Sequence, residues 1–175
     1  MVKVGRKRRA SYSTLYLAKI TIENIRCFEK ITIDLTARNK PQKWAVVFGD
    51  NGVGKTTLLR CIAMGLCDAS SAGGLLREIY GEWNRLVEKS VSKTAVIKLE
   101  FLPQIDGRNP RITTRIKLDS YGYSQVSQTT SPKDFPWGRI FACGYGSARR
   151  AFGTKDIDEY ATVDSVYSLF NYDAA

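Results

Sequence analysis

Histidine is absent from this 175-residue chain. That excludes His-ligated zinc, a Ser-His-Asp triad and any imidazole general base. Cysteine is sparse: Cys27, Cys61, Cys67 and Cys143 are scattered, with no C-x-x-C pair. The pattern fits neither a disulfide framework nor a zinc ribbon, and it points to a reducing compartment. No apolar run approaches the roughly 18 to 20 residues that a membrane span needs. The basic N-terminus is not followed by an uninterrupted apolar core either, because Lys19 and Glu23 interrupt the run from Leu15. The expectation is a cytoplasmic protein with no membrane partner. Acidic residues are also short, 17 against 27 Lys and Arg, which leaves a formal net charge of +10.

Half of that excess lies in Lys3, Arg6, Lys7, Arg8 and Arg9. Such a tail, taken as residues 1–14, either contacts phosphate backbones or an acidic partner, or is simply a solvated terminus. The remainder, 15–175, is long enough for one domain with a real core. Its hydrophobic content of 43% and charged content of 25% are those of an ordinary globular protein.

Residues 15 to 35 read as two extended segments, Ile31, Ile33 and Leu35 alternating with Thr32 and Asp34. Between them lies a polar corner, Glu23 to Glu29. Trp44-Ala-Val-Val-Phe48 is apolar on both faces and predicts a strand buried in a parallel sheet. Beyond residue 54, Leu58, Leu59, Ile62, Ala63 and Leu66 share one face of a predicted helix. Asp68 to Gly74 reads as a breaker. A second helical pattern follows in Leu75, Leu76, Ile79, Trp83, Leu86 and Val87. Residues 95–102 and 111–118 alternate cleanly around a turn-rich connector and predict an antiparallel pair. A Ser/Gln/Thr-rich loop is expected over 120–136, then a strand over 139–143. Val163, Val166, Leu169 and Phe170 suggest a short helix.

One motif carries chemistry. Gly49-x-x-x-x-Gly54-Lys55-Thr56 matches the phosphate-binding pattern G-x-x-x-x-G-K-[ST]. Its glycines allow positive φ and close backbone approach to a phosphate. Successive amides, from Asp50, Asn51, Gly52 and Val53 on to Thr57, then form an anion nest at a helix N-terminus. In that chemistry Lys55 bridges β- and γ-phosphate oxygens and the Thr56 hydroxyl ligates Mg²⁺. Guanine recognition would need Asn-Lys-x-Asp downstream. The nearest match, Asn39-Lys-Pro-Gln42, lies upstream and lacks the Asp.

Thr21-Ile-Glu-Asn-Ile-Arg-Cys-Phe-Glu29 followed by Val46 to Leu59 resembles the N-terminal lobe of ABC-type ATPase heads, and within them the SMC/RecF/OLD branch. Asn24, Arg26 and Phe28 match that branch's Asn-x-Arg-x-Phe corner. Gly49, Asn51, Gly52, Gly54, Lys55 and Thr56 match its loop. The resemblance implies an α/β P-loop fold, a mixed sheet with an antiparallel β subdomain, and ATP with Mg²⁺ as cofactors. It also implies Asn24 and Arg26 near the nucleotide, DNA or a DNA-associated complex as partner, and a head-to-head dimer in DNA repair or phage defence. A solvated Arg26 in a hairpin turn is the alternative at that position. Cys143 to Arg150 together with Val163 to Asp173 looks similar to Septu-type anti-phage proteins.

The sequence departs from that family in its later motifs. Asp158-Glu159 does not follow an apolar strand, and Leu118-Asp119 has no Glu after it, so no Walker B is legible. Ser71-Ala-Gly-Gly74 copies the signature motif but comes too early and reads as a turn. Gln104 is a poor match for the family's metal-sensing Gln, and Arg149-Arg150 reads as surface charge. The chain therefore reads as the N-terminal part of a longer ATPase that binds ATP and turns it over slowly or not at all. Its catalytic residues stay unidentified. The other reading is a non-catalytic interaction module that docks through its basic tail.

Overall fold

A computed structural model describes residues 14–79, 83–87, 90–91, 94–118, 123–144 and 162–170. The basic tail, Asp119, Arg149-Arg150 and Asp158-Glu159 therefore lie outside the described residues, Thr14 of the tail excepted. Two long strands, β1 (Tyr16–Ile25) and β2 (Phe28–Asp34), pair antiparallel around a two-residue turn at Arg26 and Cys27. Then come β3 (Thr94–Leu102), β4 (Arg111–Leu118) and β5 (Ser124–Ser131). Together they form one antiparallel sheet in the order β2-β1-β3-β4-β5.

The period-2 alternation read from the sequence sets the two faces. Ile20, Leu99 and Ile112 sit side by side across β1, β3 and β4, as do Ile22, Ile97 and Thr114. All six are nearly or fully removed from solvent, and each aliphatic one contributes roughly 1.5–3 kcal/mol of burial. Against this face pack α1 (Lys55–Leu66), over β3 and β4, and α2 (Ala69–Arg77), over β5. Helix α1 lies so close to the sheet that a Cβ on Gly65 would stand 2.7 Å from Leu99 Cδ1. Its inward face is Leu58, Cys61, Ala63, Met64 and Leu66, whereas Leu59 is 46% exposed. Leu59 thus departs from the apolar stripe predicted for it. The expected C-terminal helix is present as α3 (Thr162–Val166) and a following 3₁₀ turn, Tyr167–Leu169. Buried Arg60 ties this segment to α1, its Nε donating to the Leu169 carbonyl at 2.6 Å and its guanidinium standing over the Phe170 ring.

Four expectations fail, each for a physical reason. Trp44 to Phe48 is not a buried strand: it has no regular structure, and Trp44 and Phe48 are 88% and 87% exposed. A run apolar on both faces becomes a core strand only when neighbours pair its edges and layers cover it, and the described residues supply neither. Asp68 to Gly74 does not break the chain but begins and builds α2. The Asp68 carboxylate accepts from the Ser70 and Ser71 amides, and the burial of Ala72, Leu75 and Leu76 outweighs the poor helix propensity of Gly73 and Gly74. That also corrects Ser71-Ala-Gly-Gly74 from a turn to the body of a helix. The helix ends at Arg77, so Trp83 and its neighbours run extended instead of helical.

The third miss is β5, read as loop because it is all Ser, Thr and Gln apart from Val126. Edge position and hydrogen bonding make that composition tolerable: Gln128 Nε2 donates to the Cys67 carbonyl at 2.8 Å and to Thr114 Oγ1 at 3.0 Å. The fourth is 139–143, which joins no sheet; it is pinned by single bonds, Leu15 N to the Arg139 carbonyl and Ser165 Oγ to the Ala142 carbonyl. No described helix is long and apolar enough to cross a membrane.

The Asp68 cap makes a testable contribution. Hydrogen bonds from the Ser71 hydroxyl and amide, and from the Ser70 amide, hold this carboxyl below the usual aspartate value. The stabilisation from a depressed acid is present above its unfolded value and is lost as pH falls through the folded one. Asp68→Ala is expected to cost about 1 kcal/mol at neutral pH by urea denaturation. The gap to the parent should close as pH drops below the ordinary aspartate value of 3.8; a pH-independent gap would contradict the cap.

Candidate functional site

The motif residues 49–57 form a turn that opens directly into α1. Gly49, Gly52 and Gly54 all take positive φ, at 152°, 88° and 102°, a region costly to side-chain-bearing residues. The helix begins at Lys55 with Gly54 as its N-cap, and no side chain caps it. The first helical turn therefore presents amides that no side chain satisfies, at the positive end of the helix dipole. Only at Leu58 does the helical ladder begin, its amide donating to the Gly54 carbonyl. Asp50, Asn51, Gly52, Val53 and Thr56 are exposed, while Gly54 and Lys55 are half-buried and Thr57 is buried.

Lys55 arches back over the turn. Its ammonium donates to the carbonyls of Gly49 and Asp50, each at 2.7 Å. A positive charge thus stands beside the first residues of the turn, held there by main-chain oxygens. The Thr56 hydroxyl is exposed one residue further on. Amides, ammonium and hydroxyl are the donor set for a polyphosphate with a divalent cation. Among the described residues no cluster of three or more Cys, Asp or Glu offers a separate metal cage.

The β1–β2 corner reaches this turn through packing. A Cβ on Gly54 would stand 2.6 Å from Cys27 Sγ and 2.8 Å from the Phe28 ring, and the Cys27 thiol donates to the Val53 carbonyl at 3.8 Å. Asn24 and Arg26 both adopt left-handed backbone, with φ of 56° and 44°. Asn24 Nδ2 donates to the Thr94 carbonyl, and the Arg26 guanidinium lies 5.2 Å from the Trp83 ring centroid. Asn24 therefore braces the corner against the start of β3, and Arg26 is neither the exposed turn residue of the alternative reading nor an isolated charge.

Residues 83–85 are the part of this corner that sequence reasoning missed. Arg26 N donates to the Trp83 carbonyl, Arg85 N donates to the Asn24 carbonyl, and Asn84 bridges Ile25. The Arg85 side chain reaches the Cys27 carbonyl at 3.3 Å and Glu29 at 3.7 Å. Nothing in local spacing signals a contact made 58 residues away. Cys61, buried on α1 in apolar surroundings, has its thiol pushed far up by desolvation, and Cys67 is pushed up to about 12 for the same reason. Both are inert as nucleophiles, so this site offers no thiol chemistry from the helix.

With that geometry in view, a protein-family model described as an AAA domain matches residues 19–135, which is more than half of the chain. No curated protein matches it significantly.

The packing at Gly54 gives a direct test. Gly52→Ala, where a Cβ meets nothing within 4 Å, should carry only the backbone cost of about 1 kcal/mol. Gly54→Ala adds a clash with Cys27 and Phe28 and should lower the urea midpoint clearly further. Equal midpoints would contradict the packing of corner against turn.

Proposed function

The chain belongs to the AAA-domain family, and from that premise we propose that residues 49–57 are a Walker A loop that binds ATP with Mg²⁺. The observation that carries this reading is the conjunction at one helix N-terminus of three positive-φ glycines, uncapped amides and the Lys55 ammonium. In this reading the amides from Asp50 to Thr57 cradle the β-phosphate, Lys55 turns from the Gly49 and Asp50 carbonyls to β- and γ-oxygens, and Thr56 Oγ1 is the protein ligand for magnesium. When bound, Mg²⁺ neutralises charge on the bridging phosphate oxygens. Asn24 and Arg26 keep the corner in place beside the loop, and Arg26 contacts phosphate or ribose.

Residues 15–175 then act as one nucleotide-binding unit behind a basic tail. The Asn-x-Arg-x-Phe corner together with the Gly-x-Asn-Gly-x-Gly-Lys-Thr loop supports the SMC/RecF/OLD branch, with DNA as partner, two heads closing around ATP, and a cytoplasmic role in repair or phage defence. The Septu likeness rests on residues that lie largely outside the described ones. Hydrolysis further needs a positioned water, a second metal ligand and a base, and the loop itself supplies none of these. The activity proposed for this chain is therefore binding.

Calorimetry with Mg·ATP on the full chain tests the reading. Saturable binding is expected, weakened at least tenfold by Lys55→Ala with an unchanged thermal midpoint. Absence of binding, or binding indifferent to Lys55→Ala, would overturn it.

A further inference from the structure

The face of the sheet turned away from α1 and α2 carries a charge pattern that nothing in the nucleotide site uses. Strand register places Arg111, Thr113, Arg115 and Lys117 outward along β4, with Ser131, Thr129, Ser127 and Gln125 opposite them on β5. No outward residue of these two strands is a carboxylate. The neighbouring outward residue on β3 beside Thr113 is Lys98, and beside Arg115 it is Val96.

Charge is paired on one half of this face and unpaired on the other. Towards β2, Glu23 holds both Lys30, at 3.3 Å, and Lys98, at 3.7 Å. On β4, by contrast, Arg111, Arg115 and Lys117 are exposed, and none makes an ion pair among the described residues. Glu100 lies across from Arg111 in the register without forming one. Arg115 instead reaches sideways to the Thr129 hydroxyl at 3.4 Å. Like charges kept on one strand without counter-charges repel one another, and an external anion relieves that repulsion.

We propose that this outward face, centred on Arg111, Arg115 and Lys117 with the hydroxyls of β5 beside them, docks the phosphate backbone of duplex DNA. Alternate residues on an antiparallel strand are about 6.8 Å apart, twice the axial rise of about 3.4 Å per phosphate along one DNA strand. Guanidinium, ammonium and hydroxyl donors are the groups that contact phosphate and sugar without reading sequence. The outward residues of β3, β4 and β5 include no aromatic, so the stacking platform that single strands require is missing. The inference supplies a surface for the DNA partner proposed above and rests on that part of the reading.

Fluorescence anisotropy of the full chain with a labelled duplex, titrated with salt, tests it. The triple variant Arg111→Gln, Arg115→Gln, Lys117→Gln should keep its thermal midpoint and its calorimetric affinity for Mg·ATP. It should lose tenfold or more in duplex affinity, and the slope of log K against log salt should fall by about 2.7, since each phosphate contact contributes about 0.9. Lys30→Gln, whose charge is already paired with Glu23, should change little. An unchanged slope, with all salt dependence removed by neutralising Lys3, Arg6, Lys7, Arg8 and Arg9, would overturn the proposal. So would preference for single strands, or competition by polyglutamate as effective as by duplex, which would mark an acidic protein as the occupant. Any of these alongside Lys55-dependent ATP binding would leave the nucleotide reading standing. Loss of ATP binding with the duplex result intact would do the reverse.

Discussion

The closeness of Gly54 to the β1–β2 corner is the constraint on which the rest depends. Where any other residue would carry a Cβ, this position has the Cys27 sulfur and the Phe28 ring. That contact lets α1 start flush against the sheet's first hairpin, with its amides turned to solvent instead of capped by a side chain. The hairpin is in turn fixed from behind. Asn24 reaches the start of β3, and residues 83–85 run alongside the corner by main-chain bonds. The loop is thus a local sequence motif, but its geometry is set by residues well separated from it in sequence.

The sheet divides labour between its faces. Inward, Ile20, Ile22, Ile97, Leu99, Ile112 and Ile116 give α1 a rigid floor, tight enough that Gly65 must be small. A phosphate site needs that rigidity, because a helix N-terminus binds an anion well only when its amides are held in place. Outward, the same alternation exposes β4's cations. One period-2 pattern therefore serves both the core under the nucleotide loop and the charged surface on the far side.

What could be read from the sequence were the features written within a few residues of one another. The glycines and lysine of 49–57, the alternation of β1 to β4 and the apolar spacing of the C-terminal helix needed no distant information. Three kinds of feature were hidden. Helix α2 looked like a breaker because its cap, Asp68, and its buried Leu75 and Leu76 outweigh two glycines that local propensity penalises. Strand β5 looked like loop because its only apolar inward residue is Val126, and its other inward partners are made acceptable by the hydrogen bonds of Gln128. Trp44 to Phe48 looked like a core strand because hydrophobicity records a capacity for burial; whether neighbours exist to bury it is a property of the whole fold. The AAA-domain match over 19–135 spans the regions that were read correctly and several of those that were not.

The central claim is that main-chain amides of the Gly49–Thr57 turn, with Lys55 beside them, grip a polyphosphate. Amide-resolved NMR of the chain titrated with Mg·ADP addresses those groups one by one. The account predicts that the largest and saturable shift changes fall on the amides of Gly52, Gly54, Lys55, Thr56 and Thr57, with smaller ones at Cys27 and Phe28. Saturable changes centred elsewhere, with the turn silent, would contradict it.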